Sequence, residues 1–194
     1  MSRAPRASRL LEQTLELPAR GSMRIAAIAD THSRPHPNAA ALIAAAKPDL
    51  LLHAGDIGAL ECLGPFESLA PLLSVRGNID ARADGPDIAL LTVQGPDGYQ
   101  MRLLMTHIAV YGVCLRRDAR ELAARHRAQL LVCGHSHIPF LAEERGVLVF
   151  NPGSIGPRRF ALPICFGLIE LGPSGVSLQH IDCETGEPWR PPAC

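Results

Sequence analysis

The run 50–56, Leu-Leu-Leu-His-Ala-Gly-Asp, is apolar until it stops at a glycine and a carboxylate, and the same ending recurs along the chain. The run 25–29 stops at Asp30, Thr31 and His32, and the run 130–133 stops at Gly134, His135, Ser136 and His137. Two more, 72–75 and 101–105, are followed closely by Asn78 and His107. A short continuous apolar run is the pattern of a strand buried on both faces. Five such strands bring oxygen and nitrogen donors to one rim. The rest of the chain is read as serving that rim.

Between these runs the pattern alternates strand, loop, helix, strand. Pro37, with Asn38 behind it, opens an alanine-rich helix to Ala46, which Lys47, Pro48 and Asp49 break before the Leu50 strand. With the strand 24–29 this makes one β-α-β unit. Pro65 suits the first turn of a second helix to Leu69, ahead of the strand 72–75. The segments 88–93 and 99–105 are joined only by residues 94–98, with Asp97-Gly98 marking a hairpin. Asp118, three residues before Glu121, has the spacing of a capping box for a helix through Arg127. After the Leu130 strand, 140–142, 147–150, 164–171 and 176–181 read as short strands with no helix between them. Units of β-α-β followed by hairpins predict an α/β fold, a four-layer α/β/β/α sandwich of two mixed sheets flanked by helices. In open α/β sheets the site lies beyond the carboxyl ends of the strands, where Asp30, Asp56, His135 and His137 fall.

The boundaries expected are an N-terminal extension over 1–22, flexible or loosely docked, one domain over 23–184, and a tail over 185–194. Leu10, Leu11, Leu15 and Leu17 leave room for one short amphipathic turn or strand in the extension. Nineteen basic and nineteen acidic residues cancel, so no global field holds a polyanion, which argues against a nucleic-acid partner. The six cysteines are spread singly without a Cys-x-x-Cys pair, which argues against a zinc ribbon or redox dithiol. No stretch is long and apolar enough to span a bilayer, and Glu12 and Gln13 interrupt the leucines that would begin a signal peptide. A cytoplasmic protein with no membrane partner is the expectation.

The polar residues at the strand tips are Asp30, His32, Asp56, Asn78, His107, His135 and His137. Seven ligands exceed one tetrahedral site and match two divalent ions that share a bridging carboxylate. Oxygen and imidazole donors without thiolate suit Mn first, and Ni, Fe, Co or Zn after it, better than Ca or Mg.

These blocks resemble the calcineurin-like metallophosphoesterases, and within them the small phosphodiesterases of the YfcE type. The resemblance runs from Arg24 to about Arg159 through Asp-Thr-His at 30–32, Gly-Asp at 55–56, Gly-Asn-Ile-Asp at 77–80, Thr-His at 106–107, Gly-His-Ser-His at 134–137 and Asn-Pro-Gly-Ser at 151–154. It implies that Asp30, His32 and His137 hold one ion, that Asn78, His107 and His135 hold the other, and that Asp56 bridges them. The implied activity is hydrolysis of small phosphodiesters, cyclic nucleotides among them, by in-line attack of a metal-bridging hydroxide, with Asp56, Asn78 and His107 in the catalytic roles. The alternatives are a phosphomonoesterase or nuclease on the same metals, and a metal-binding scaffold similar to a relative in the retromer coat. Association into a dimer or larger homo-oligomer is also implied.

Two residues depart from the family pattern. Ile79 stands where larger members carry a histidine that contacts phosphate or protonates the leaving group, and Thr106 replaces a glycine before His107. Arg34, His36 and Arg158 are the candidates to bind substrate in place of that histidine. Arg159 reads as structural or solvated.

Overall fold

The computed structural model describes residues 8–159 and 161–190. Its elements, in chain order, are β1 (Leu10–Glu16), β2 (Met23–Ile28), α1 (Ala39–Ala46), β3 (Leu50–His53), α2 (Gly64–Glu67), β4 (Leu72–Ser74), β5 (Ile88–Gln94), β6 (Gln100–Thr106), β7 (Val110–Tyr111), β8 (Cys114–Leu115), α3 (Arg117–His126), β9 (Leu130–Val132), β10 (Phe140–Glu144), β11 (Val147–Asn151), β12 (Cys165–Gly172), β13 (Gly175–Asp182) and β14 (Pro188–Trp189). One six-stranded sheet has the order β1-β5-β6-β9-β11-β10 and the other β14-β13-β12-β2-β3-β4.

The central strands β3 and β9 are buried on both faces, and β2 is buried except at Arg24. Ile25, Ala27, Leu50, Leu52, Ile169 and Leu171 of one sheet meet Leu91, Val93, Leu103, Met105, Leu130 and Val132 of the other in a single core. The alternate residues Ala26, Ile28 and Leu51 pack outward against Ala39 and Ile43 of α1 and Phe66 of α2. On the far side Leu90, Leu104 and Leu131 pack against Ala119 and Ala123 of α3. The period-two alternation of strand side chains thus places a helical layer outside each sheet, and the four-layer sandwich stands.

The late strands divide between the sheets. The hairpin β10–β11 joins β9 in one, whereas β12 runs antiparallel to both β13 and β2 and so completes the other. The hairpin expected at Asp97-Gly98 forms, pairing Ile88 with Thr106 through Gln94 with Gln100, and both turn residues have positive φ.

Four expectations are corrected. The extension is not loose over residues 10–16: β1 lies parallel to β5, from Leu10 beside Ile88 to Glu16 beside Gln94. Its burial alternates, and Leu11, Leu15 and Leu17 pack against the inter-sheet core, so the leucines are the apolar face of an edge strand. The tail likewise begins inside the fold, because Trp189 pairs with His180 as β14. Residues 1–7 and 191–194 of these two segments lie outside the described residues. Finally, the capping box does not form. The helix starts earlier, with Arg116 at its N-cap, and Asp118 sits inside the first turn bonded to Arg116 while Glu121 pairs with Arg117. The second helix is also shorter than expected, ending at Glu67.

Deleting residues 1–17 should destabilise the protein by about 3 kcal/mol, from three partly buried leucines lost and the edge of β5 laid bare. Thermal unfolding of the truncated chain beside the full one checks this. An unchanged midpoint would show that β1 is dispensable.

Candidate metal centre

The strands β2, β3 and β4 run parallel to one another in one sheet, and β6 and β9 run parallel in the other. Asp30, Asp56 and Asn78 follow the carboxyl ends of the first three, and His107, His135 and His137 follow those of the last two. Packing the sheets face to face brings the two sets together at the seam.

The tips are backbone-strained. Asp30, His32, Asp56, His135 and His137 all have φ between 47° and 70°. Left-handed backbone costs a residue with a Cβ roughly 1–3 kcal/mol and persists only where the surroundings over-determine it. Here they do. The Asp30 N–H donates to the Gly55 carbonyl at 2.9 Å and the His32 N–H to the Asp56 carbonyl at 3.0 Å, stitching the first two tips together. His53 accepts from the Gly55 N–H at Nδ1 (3.1 Å), which leaves its Nε2 to donate to the Thr31 hydroxyl at 2.7 Å. Burial holds the His53 pKa down at about 4, so this brace is neutral.

Two further residues brace the tips. The buried Asp80 carboxylate accepts from the N–H groups of Ile57 (3.2 Å), Gly58 (2.9 Å) and Gly77 (2.6 Å). Asn151 donates to the Gly134 carbonyl at 2.8 Å and to the Ser136 hydroxyl at 3.1 Å, and Ser154 donates to the Asp30 carbonyl at 3.0 Å. The Asn-Pro-Gly-Ser turn therefore ties the third tip to the first. The Gly77 site also excludes a side chain, since a Cβ there would collide with the Asp56 amide and carboxylate.

The candidate ligands fall into two groups. Asp30, His32 and His137 form one, Asp56, His107 and His135 the other, and within each the donor atoms all lie within 4.8 Å of one another. Asn78 belongs with the second group through a 3.3 Å approach of its Nδ2 to His135 Nδ1. Asp56 faces both: its Oδ1 is 3.3 Å from His107 Nε2 and its Oδ2 is 3.7 Å from His32 Nε2.

The donor set fits cations. His107 Nδ1 donates to the Ala54 carbonyl at 2.8 Å, which leaves Nε2 pointing at Asp56 without hydrogen-bond geometry. Asp30 Oδ2 and His137 Nδ1 are also buried without partners, so three of the five such atoms among the described residues belong to this site. Buried polar atoms ordinarily find partners, and a cation held by these residues would supply them at Asp30 and His107.

The charges agree. Burial, helped by the Asp56 charge, pushes the Asp30 carboxyl up to about 7. Burial opposes ionisation of Asp56 too, but the adjacent His107 imidazole and the N–H groups of Ile79 and Asn78 outweigh it and hold that carboxyl well below the usual range. Burial likewise disfavours charging His107, and Asp56 with the Ala54 carbonyl overcomes it, so its pKa is raised. Burial and the Arg159 charge hold His137 down at about 4, and burial lowers His32 and His135 as well.

Residues 23–173 match the calcineurin-like phosphoesterase superfamily domain. The chain belongs to that superfamily. A probable metallophosphoesterase of Methanothermobacter thermautotrophicus is 33% identical over 174 residues, covering 86% of this chain and 95% of the relative. The phosphodiesterase YfcE of Escherichia coli K12 is 30% identical over 104 residues, 51% of this chain and 52% of YfcE. Among solved structures, vacuolar protein sorting 29 from Cryptosporidium parvum superposes with a TM-score of 0.68 at 19% identity, covering 86% of this chain and 94% of that one. E. coli YfcE superposes at 0.56 with 20% identity, covering 86% and 96%. The protein is a metal-dependent phosphoesterase of this superfamily.

The candidate substrate residues of the phosphoesterase are placed less uniformly. Arg34 is exposed, and its backbone N–H bonds to the Thr31 carbonyl. His36 is drawn into the entry of α1, where its Nδ1 accepts from the Asn38 N–H at 3.3 Å. Arg158 is turned away, bonded to the Leu162 carbonyl at 2.7 Å and ion-paired with Glu184. Arg159, expected to be structural or solvated, instead reaches the ligands, its Nη2 lying 3.2 Å from His32 Nε2. Adjacent arginines in a turn carry no period that tells one from the other. Asp80 was legible as the last residue of its motif, but its role as a backbone brace was not.

Loading the phosphoesterase with divalent ions should release protons, because the metal-free site keeps one on Asp30 below about pH 7 and holds one on His107 more tightly than a free imidazole would, while a ligand must give its proton up. Apparent affinity should therefore fall as pH drops below about 7, by about tenfold per unit for each proton displaced. Calorimetry at pH 6 and pH 8 in buffers of different ionisation enthalpy reads the count. Equal release at both values would refute this.

Proposed function

We propose that this phosphoesterase is a phosphodiesterase that hydrolyses small phosphodiesters, cyclic nucleotides among them, with two divalent ions, Mn by preference. The observation that carries the reading is Asp56, whose two carboxylate oxygens face the two histidine groups separately. Such ions, when bound, lower the pKa of a shared water and neutralise charge on the phosphoryl group. The chain's own residues hold that arrangement: Asp56 spans it, His107 is fixed in one tautomer by the Ala54 carbonyl, and Asn78 is placed by its N–H bond to Asp56 at 2.5 Å. Asn78 and His135 are exposed while Asp30, His107 and His137 are buried, which supports substrate entry from the second group's side.

The exposed Ile79 supplies no proton where larger family members have an imidazole. Loss of a positioned general acid costs about 10²-fold or more on poor leaving groups, so acidic leaving groups are favoured. A balanced net charge supports small substrates over nucleic acid. No helix among the described residues is long and apolar enough to cross a membrane. The retention of all seven ligands favours catalysis over a scaffold role.

The test is hydrolysis of an aryl phosphodiester beside its monoester by chelator-stripped protein with Mn, Ni, Mg or Zn restored singly. Metal-dependent turnover favouring the diester is expected. Preference for the monoester would replace the reading with a phosphomonoesterase, and metal binding without turnover would replace it with a scaffold.

A further inference from the structure

We infer that Arg159, which sits over His32 at the edge of the first ligand group, is the cation that grips the substrate's phosphoryl oxygens and takes the electrostatic part of the role left open at Ile79. The inference rests on the phosphodiesterase reading of the same site.

Its neighbour shows what an arginine of this turn does when it is structural. Arg158 is satisfied by Glu184 and the Leu162 carbonyl on the protein surface. Among the described residues Arg159 has neither kind of partner. Among the described residues no carboxylate lies within ion-pair distance of it, and its recorded contact is the 3.2 Å approach of Nη2 to His32 Nε2. The ring of His32 stacks on that of His137 with centroids 5.1 Å apart, so the guanidinium faces a cluster of imidazoles. With His32 engaged as a ligand its Nε2 no longer accepts, and the guanidinium's donors are left to an anion in the cleft. A planar fork of N–H donors matches phosphoryl oxygens two at a time.

The arginine is delivered by a rigid segment. Ser154 is bonded to the Asp30 carbonyl, the Ile155 N–H to the Ala29 carbonyl at 3.2 Å, and the Gly156 N–H to the Ser154 hydroxyl at 3.1 Å. A Cβ at Gly156 would collide with the Asp30 carbonyl, so this stretch lies flush against the first tip. Arg159 follows three residues later, which ties its reach to the ligand Asp30.

The chemistry differs from that of an imidazole. Water adds its oxygen to phosphorus and loses a proton to solvent, and the ester P–O bond breaks with its electron pair passing to the leaving oxygen. Arg159 donates hydrogen bonds throughout but keeps its own proton, so the leaving oxygen is protonated by solvent. The site therefore takes diesters whose leaving group is stable as an anion, an aryl or other acidic hydroxyl.

The experiment compares Arg159→Ala with the wild type, both loaded with Mn. Inorganic phosphate is titrated calorimetrically, bound metal per chain is measured, and aryl phosphodiester kinetics are recorded. Phosphate affinity should fall at least about tenfold and kcat/KM about 10²-fold, with bound metal unchanged. Phosphate affinity within about twofold of wild type would overturn the inference. So would loss of bound metal, since Arg159 would then be a brace for His32. A wild type inactive on the diester would overturn the phosphodiesterase reading alone, because the phosphate titration still decides whether Arg159 binds the anion.

Discussion

Asp56→Asn is expected to fold, to lose one of the two bound ions, and to drop in diester kcat/KM by about 10³-fold or more. The amide has one oxygen where the carboxylate has two. The N–H groups of Asn78 (2.5 Å) and Ile79 (3.2 Å) both donate to Asp56 Oδ1, so the new side chain keeps its oxygen there, beside His107. Its NH₂ then turns toward His32, where Oδ2 now stands 3.7 Å away. A donor in that position repels the ion held by Asp30, His32 and His137, and the ion of that first group is the one lost. Metal analysis after dialysis and steady-state kinetics read the two effects together. Two ions retained with near-normal turnover would refute the bridging role.

Asp80→Ala should be the most destabilising single change near the site that removes no ligand. Three backbone N–H groups, from Ile57, Gly58 and Gly77, lose a charged acceptor at once. Hydrogen bonds to a charged group contribute about 1.5–3 kcal/mol each, and buried donors left unpaired cost about 1–3, so a loss of roughly 3–5 kcal/mol is expected. For a chain of this length that lowers the unfolding midpoint by roughly 10 °C. Metal affinity should fall with it, because Gly58 and Gly77 flank the Asp56 tip, and Asp80→Asn, which keeps one acceptor, should fall between. Thermal unfolding of the three proteins with and without Mn orders them. A midpoint for Asp80→Ala within a degree or two of wild type would show that solvent satisfies those donors.

The comparison of chain and fold separates cleanly by the range of the interactions involved. Apolar runs ending at Asp30, Asp56 and His135 were readable because a strand buried on both faces has no polar positions until it leaves the core. The candidate ligand set was readable for a related reason, each donor lying within five residues of a strand end. The edge strand β1 was half-readable: its leucines alternate, but only the free edge of β5, formed by residues some eighty positions later, makes that alternation a strand. The capping box had the right spacing and lost to a local rival, since Arg116 holds Asp118 from two residues away.

What the chain alone determined is the chemistry, namely seven oxygen and imidazole donors at five strand tips, without thiolate and without an imidazole at Ile79. How those donors divide was implied by the family resemblance and not by the residues themselves, because the placing of Asp56 between His107 and His32 depends on two sheets meeting at a seam. Tertiary structure alone decided which of two adjacent arginines serves the site. Arg158 and Arg159 differ in nothing local, and the distinction comes from Glu184 lying on one side of the turn and His32 on the other. The strained φ values of the tips belong to the same class. No residue type among them prefers that backbone, and it is held by hydrogen bonds to the Gly55 and Asp56 carbonyls and from the Ser154 hydroxyl, which the folded sheets bring into reach.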